Sequence, residues 1–295
     1  MADGGTLRPA GALLVNAFVW GVSWWPFREL QAQGLHPLWT TAGIYLLTVA
    51  ALFALRPQVL RQCAGQPLLW LLALVAGLTN VGFNWAVTVG DVVRVVLLFY
   101  LMPAWSVLVA WWLLGDKPSP GALLRLLLAL SGLVIVLHRP DSPWPVPESL
   151  ADVLALLGGL SFAVTNALLF KLKDTPESSR MLAMFGGGAF MAALTALLGS
   201  SSAVVVQSVL WQPGWIGPVL VLTFAFLAGN IALQYGAARL PAHTTALVML
   251  SEVVFASISS VILGASTWDA RTLLGGALIL LAAVLSVVMP GRAQH

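Results

Sequence analysis

Charged residues are scarce in this chain. Of its 295 residues only 8% are Asp, Glu, Lys or Arg, whereas soluble domains carry roughly 25%, and 59% are hydrophobic, with a mean hydropathy of +0.93. So few charges cannot give a soluble fold a polar surface. The basic residues are scattered singly rather than clustered, so no nucleic-acid partner is predicted. Lipid must cover most of the protein.

Residues for catalysis, metal binding and nucleotide binding are also few. The single cysteine, Cys63, cannot form an intrachain disulfide, and no His or Cys lies near it at metal-ligand spacing. The sequence has no Gly-x-x-x-x-Gly-Lys-Ser/Thr loop for nucleotide phosphates. The four histidines fall in predicted loops or ends, namely His36, His138, His243 and His295. We therefore predict no cofactor, no metal and no enzymatic activity.

Long apolar runs fill the space between these scattered charges. A helix needs roughly 17 to 25 mostly apolar residues to cross the hydrocarbon core. The sequence predicts an all-α membrane protein of about ten transmembrane helices, the fourth of them kinked at Pro103. These helices are expected near residues 10–28, 38–55, 68–89, 92–114, 121–137, 150–171, 180–199, 214–238, 242–264 and 270–289.

The basic residues predict how the helices are oriented. With the N-terminus inside, the cytoplasmic segments contain Arg8, Arg56, Arg61, Lys117, Arg125, Lys171, Lys173, Arg180, Arg239 and Arg292. The opposite side receives only Arg28, Arg94, Arg139 and Arg271. Cytoplasmic loops carry an excess of Lys and Arg. Both termini are therefore predicted to be cytoplasmic, as an even number of crossings requires.

The two halves of the chain resemble each other. An offset of 150 residues aligns three polar and aromatic positions of the third helix with three of the eighth: Asn80, Asn84 and Trp85 with Asn230, Gln234 and Tyr235. We predict two five-helix repeats, residues 1–140 and 148–295. Five crossings are an odd number, so the second repeat would be inverted, an arrangement that many transporters use.

The same positions carry a resemblance to a known family. Its features are Trp20 with Gly21, Asn84 to Ala86, Gln234 to Ala237, and the helix ends Leu114 to Asp116 and Leu263 with Gly264. Together with two sets of five helices, they resemble the drug/metabolite transporter superfamily over nearly the whole chain. Among its members the chain is most similar to EamA-type exporters, particularly bacterial aromatic amino-acid exporters of the YddG kind.

This resemblance implies a multi-pass exporter of the bacterial inner (plasma) membrane, with a central cavity between its halves. Its expected partners are a small-molecule substrate and the lipid bilayer, and a monomer is one of the oligomeric states it allows. One position departs from the family pattern. The acidic residue that usually follows the Leu-Gly pair is Asp116 in the first half but Ala265 in the second. An ionic latch common to both halves is therefore not expected.

Glu252 is the sharpest single feature of the sequence. It lies about midway along the predicted ninth helix, where an acidic side chain costs roughly 2.5 to 3.5 kcal/mol on insertion scales. A cavity, a partner on another helix or a bound proton would offset that cost. The residue is therefore either a proton or ammonium site or a neutral acid that serves folding.

Amides and aromatic rings inside the helices are the other candidates for contact with a substrate. Amides both donate and accept hydrogen bonds, which suits a zwitterionic solute, and rings can stack on a flat one. The alternative is that they join helices or fill the core. With Glu252, the candidate substrate-binding residues are Trp20, Trp24, Asn80, Asn84, Trp85, Tyr100, Trp105, Phe162, Asn166, Asn230, Gln234 and Tyr235.

Two transport functions remain open at this stage. The first is export of small amphipathic metabolites, foremost aromatic and other neutral amino acids, by alternating access through the cavity between the repeats. The second is a proton-coupled efflux pump for lipophilic cations and drugs, in which Glu252 would bind cargo and protons in exchange. The first would tolerate Glu252→Gln, whereas the second would not.

Overall fold

The structure, a computed structural model, describes residues 4–59, 65–109, 111–112, 119–137, 147–201, 212–237, 239–240, 248–249, 251–265 and 270–288. These residues are helical or lie in short turns, and none of them forms a strand. Several positions used in the sequence analysis lie outside them: Arg61, Cys63, Leu114 to Lys117, His138, Arg139, His243, Arg292 and His295.

The described residues form eleven α-helices. In chain order they are α1 Gly4–Ala32, α2 Pro37–Leu55, α3 Pro67–Val89, α4 Val92–Phe99, α5 Met102–Val109, α6 Pro120–Leu137, α7 Leu150–Lys171, α8 Glu177–Ser201, α9 Ile216–Ala237, α10 Ser251–Ile262 and α11 Ala270–Val288. A single turn of 3-10 helix, Pro213–Trp215, precedes α9. The first helix is longer at both ends than the predicted range of 10–28.

Six of the described helices are long and apolar enough to cross a membrane. They are Leu7–Ala32, Pro37–Leu55, Pro67–Val89, Leu150–Leu169, Glu177–Gly199 and Pro213–Ala237. The segments Val92–Ser106, Leu123–Gly132, Ser251–Ile262 and Leu273–Ala282 are apolar but shorter. All ten segments fall within predicted spans or overlap them, so the helices fit a multi-pass membrane protein. The count of ten crossings and the cytoplasmic termini stay predictions.

The predicted fourth helix is interrupted where the sequence placed its kink. Residues Tyr100 and Leu101 form a turn between α4 and α5. Pro103 has no backbone N–H, so the carbonyl of Phe99 receives no bond from it. That carbonyl packs against Gly159 of α7, where any Cβ would overlap it. The interruption thus brings the fourth helix close to the second half of the chain.

Glycine ends two of the helices in the left-handed conformation. Gly264, of the Leu263 and Gly264 pair, has a φ of 68° and follows α10. Its N–H donates to the Val261 carbonyl at 3.1 Å, and the Ala265 N–H donates to the Ser260 carbonyl at 2.7 Å. These two bonds define a Schellman cap. The same pattern, with a φ of 92° at Gly34, ends α1.

Replacing Gly264 with alanine is expected to destabilise the protein by about 1 kcal/mol, because a Cβ is unfavourable at positive φ. Thermal unfolding of the purified protein in detergent measures the loss. Gly217→Ala is the matched control, since Gly217 also has open space around its Cα but lies inside a helix. Equal melting temperatures for both variants would contradict the assigned role of the cap.

Helix α3 packs between α7 and α8, so the first half of the chain contacts the second along much of its length. Glycines make this close approach possible. A Cβ on Gly82 would lie 2.7 Å from the Leu154 carbonyl of α7, and one on Gly77 would lie 2.6 Å from the Gly187 carbonyl of α8. Elsewhere α1 packs on α9 and α10, α2 on α8, and α6 on α11.

Candidate functional site

A cavity lies at the centre of the bundle. It is small in this conformation, with a volume of about 40 Å³. Six helices contribute to its wall, α1, α2 and α3 from the first half and α7, α8 and α9 from the second. The lining residues are Trp20, Tyr45, Ala76, Thr79, Asn80, Phe162, Thr165, Met184, Phe185, Phe226, Asn230 and Leu233. None of these twelve carries a formal charge at neutral pH.

Aromatic rings from both halves form one side of this cavity. The Trp20 ring stacks on Phe226 with their centroids 4.7 Å apart and the planes inclined by 23°. Tyr45 meets Phe185 edge to face at 5.1 Å and Phe226 at 5.9 Å. Offset and edge-to-face pairs are the favoured geometries of such rings. A planar apolar group could therefore contact ring faces and edges here.

Two amides provide polar groups at matching places in the wall. Asn80 is buried, accepts a hydrogen bond from the Tyr45 hydroxyl and donates to the Ala76 carbonyl at 2.7 Å. Asn230 accepts from the Gln234 amide at 2.8 Å and donates to the Met184 sulfur at 3.6 Å. The structure thus places four of the thirteen candidate residues, Trp20, Asn80, Phe162 and Asn230, in the wall of one cavity.

Asn84 and Gln234 lie one helical turn beyond the two wall amides and do not line the cavity. Asn84 is fully buried and donates to the Thr41 hydroxyl at 3.0 Å. The side-chain oxygens of Asn84 and Gln234 have no hydrogen-bond partner. A buried acceptor without a partner costs roughly 1 to 3 kcal/mol. These two oxygens can therefore each accept a further hydrogen bond.

Four other candidates lie away from the cavity wall. Trp24 is buried and donates to the Ser259 hydroxyl at 2.9 Å. Asn166 donates to the Met102 sulfur at 3.4 Å, and the half-buried Trp105 has no partner for its indole N–H. Tyr235 is 37% exposed, with the Arg239 guanidinium 3.9 Å from its ring centroid. Its position one residue after Gln234 turns its side chain away from the wall.

Tyr100 and Glu252 form a separate buried pair. The Tyr100 hydroxyl lies 2.6 Å from Glu252 Oε2 and 2.6 Å from the Met249 carbonyl oxygen. Tyr100 is fully buried, and Glu252 is 2% exposed. Neither residue lines the central cavity. The carboxyl group that the sequence singled out therefore joins α10 to the interruption of the fourth helix.

A second, more polar cleft opens at the end of the bundle where α1 and α3 end. Its wall includes Gln31, His36, Trp85, Asp91, Arg94 and Asp152. Trp85, the repeat partner of Tyr235, meets the His36 ring edge to face at 5.4 Å. Burial lowers the pKa of His36 to about 4. The imidazole is thus neutral at pH 7, and its Nδ1 accepts from the Leu38 N–H at 3.2 Å.

An ion pair crosses between the halves in this cleft. Asp152 accepts two hydrogen bonds from the Arg94 guanidinium, at 2.8 and 3.0 Å. It also caps α7, because it accepts from the Glu148 N–H while Ser149 accepts from the Asp152 N–H. In the same cleft, the Asp91 side chain accepts a hydrogen bond from the backbone N–H of Arg94.

Sequence reasoning missed Tyr45, Phe185, Phe226 and Met184 of the cavity wall. Tyr45 was the easiest to find, since it is one of only three tyrosines and lies in the middle of an apolar helix. No local signal marks the others, because apolar residues line every face of these helices. Within the described ranges, no three His, Cys, Asp or Glu side chains are grouped so that they could hold a metal ion.

The first half of the chain has a recognisable family pattern. Residues 8–138 match the EamA-like transporter family. The match supports the superfamily resemblance for this part of the chain and agrees with a multi-pass membrane protein whose substrates are small molecules. It does not distinguish the aromatic amino-acid exporters from other members, so that narrower prediction is untested.

The fold is similar to folds among solved structures. One crystal structure superposes on 100% of this chain and on 99% of its own length, with a TM-score of 0.63 and 17% sequence identity. At that identity the likeness concerns the fold alone. A comparison with curated proteins found no match.

Proposed function

We propose that the protein exports small amphipathic metabolites, foremost aromatic and other neutral amino acids, across the bacterial inner membrane. The cavity between the two five-helix repeats would open to either side in turn. The observation that carries this proposal is the wall of the cavity, to which three helices of each half contribute. A change in how the halves pack would alter such a wall directly, as alternating access requires.

The chemistry of the wall supports a solute with a flat apolar part and hydrogen-bonding groups. Trp20 and Phe226 offer ring surface, and Asn80 and Asn230 offer amides that donate and accept. The ammonium and carboxylate groups of a zwitterionic amino acid both need hydrogen-bond partners, and an amide can accept from the first and donate to the second.

The rival function, a drug pump that binds cations at Glu252, has less support. The carboxyl group of Glu252 is bonded to Tyr100 and does not line the cavity. The twelve lining residues offer no carboxylate that could compensate a cationic cargo, and an uncompensated charge is costly away from water. The wall therefore has no ion-pair partner for a lipophilic cation, which also lacks the carboxylate with which a zwitterion neutralises itself.

Transport in proteoliposomes tests the proposal. We expect uptake of labelled tryptophan and phenylalanine that persists without a pH gradient, and a fall of about threefold to tenfold in Trp20→Ala, since aromatic pairs contribute about 0.5 to 1.5 kcal/mol beyond burial. Trp25→Ala is the matched control, because Trp25 lies on the same helix but is 50% exposed.

Two outcomes would contradict the proposal. Equal losses in the Trp20 and Trp25 variants would show that the cavity does not bind the substrate. Gradient-driven movement of a cationic dye, without amino-acid flux and abolished by Glu252→Gln, would support the drug pump instead.

A further inference from the structure

The pair of Glu252 and Tyr100 lies where the interrupted fourth helix meets α10. Tyr100 occupies the interruption between α4 and α5, and the two residues that it contacts, Met249 and Glu252, are both helical. The contacts therefore join a helix break in the first half to a helical segment in the second. They span 149 and 152 residues of the chain.

Counting hydrogens shows which groups can donate in this cluster. The Tyr100 hydroxyl has one hydrogen, yet its oxygen lies 2.6 Å from the Met249 carbonyl and 2.6 Å from Glu252 Oε2. Both distances are those of O–H···O hydrogen bonds. A backbone carbonyl can only accept, and so can a carboxylate. A single hydrogen could serve both acceptors only in a weaker, bifurcated arrangement, whereas a protonated Glu252 supplies the second hydrogen that two full bonds require.

The surroundings offer a negative carboxylate no compensation. In the described ranges α10 packs mainly on α1 and α4, and it has no charged residue besides Glu252. On α1 a Cβ at Gly21 would lie 2.8 Å from the Glu252 backbone carbonyl, so the backbones of α1 and α10 are in close contact at this point.

The charged groups on the two packed helices are engaged elsewhere or lie far along the axis. Arg28 of α1 donates to the Val87 and Gly90 carbonyls, and Arg94 of α4 is paired with Asp152. Arg8 and Glu29 of α1 are each eight or more residues from Gly21, which is about 12 Å or more of helix. Asp91, at the start of α4, caps that helix.

We propose that Glu252 is a proton-binding site, in which the carboxylic acid donates to the Tyr100 oxygen and the Tyr100 hydroxyl donates to Met249. Loss of the proton leaves one hydrogen for two acceptors, so the two contacts become weaker or one of them opens. The proton therefore favours the packing of α10 on the interrupted helix, and its release favours another arrangement. The consequence for transport rests on the function proposed above, whereas the proton site itself does not.

Infrared spectroscopy of the reconstituted protein tests the site without any transport assay. Near neutral pH we expect a carboxylic-acid C=O band that is absent in Glu252→Gln. The glutamine amide can donate to Tyr100 as the acid does, so this variant should fold. Tyr100→Phe keeps the acid but removes its acceptor, so the band should move to higher frequency. This second variant decides the question should the first fail to fold.

The proposal is overturned if the wild-type spectrum near neutral pH has no carboxylic-acid band that disappears in Glu252→Gln or moves in Tyr100→Phe. Transport then tests the consequence, since amino-acid uptake should vary severalfold with internal pH in the wild type but not in Glu252→Gln. A pH response that persists unchanged in this variant would overturn coupling. Should the infrared band be present while no amino acid is transported, the proton site stands and the proposed substrate falls.

Discussion

Gly187→Ala is expected to prevent α3 and α8 from packing and to abolish recovery of folded protein. A Cβ at this position would overlap the Ala73 carbonyl of α3, and a backbone atom cannot move aside as a side chain can. Overpacking of a core costs typically 1 to 3 kcal/mol, and we expect more than about 3 kcal/mol here because the clash is with the backbone. Size-exclusion chromatography in detergent measures the loss.

The adjacent glycine provides the control for this prediction. A Cβ on Gly186 would meet only the end of the Leu182 side chain, at 3.9 Å. Gly186→Ala should therefore behave like the wild type or slightly better, since alanine is the stronger helix former. Comparable folded yields for the Gly186 and Gly187 variants would mean that these two helices do not approach as closely as the structure has them.

Arg94→Ala should have the second largest effect, a loss of about 3 kcal/mol in stability. The Asp152 side chain is 2% exposed, and removal of Arg94 leaves a buried carboxylate that has lost its counter-charge and keeps the hydrogen bond from the Glu148 N–H. Thermal unfolding in detergent measures the change. The double variant Arg94→Ala with Asp152→Ala should recover part of the loss, because the uncompensated charge is then gone.

Arg239→Ala is the control for this ion pair. Arg239 is exposed and lies over the Tyr235 ring, a contact worth about 0.5 to 1 kcal/mol at an exposed site. A loss in Arg94→Ala no larger than in Arg239→Ala would contradict the view that Arg94 joins the two halves. An additive double variant, with no recovery, would show that Arg94 and Asp152 do not interact.

Part of the candidate site could be predicted from the sequence, because polar and aromatic residues are easily recognised inside apolar helices. An amide inside an apolar helix costs free energy unless it has a hydrogen-bond partner, and a tryptophan away from the helix ends is unusual. Trp20, Asn80 and Asn230 could therefore be selected from the sequence. Which side of a helix meets the cavity depends on the packing of its neighbours. Tyr235 matches Trp85 in the repeat alignment, yet it is exposed beside Arg239 while Trp85 is buried in the polar cleft.

Residue-by-residue chemistry determined the class of protein. Each side chain contributes its own free energy of transfer to lipid, and these contributions add along a segment. The scarcity of charged residues and the long apolar runs were therefore enough to predict a helical membrane protein. Proline and glycine act locally too, and Pro103 and Gly264 mark a break and a helix end that the structure contains.

Only the tertiary structure decided which groups meet. Arg94 and Asp152 are 58 residues apart in the chain, and Tyr100 and Glu252 are 152 apart. Neither pair follows from helical spacing, since such contacts require two helices to pack at a particular depth and rotation. The packing gives the Glu252 carboxyl group a hydrogen-bond partner, because it places the Tyr100 hydroxyl between that group and the Met249 backbone carbonyl.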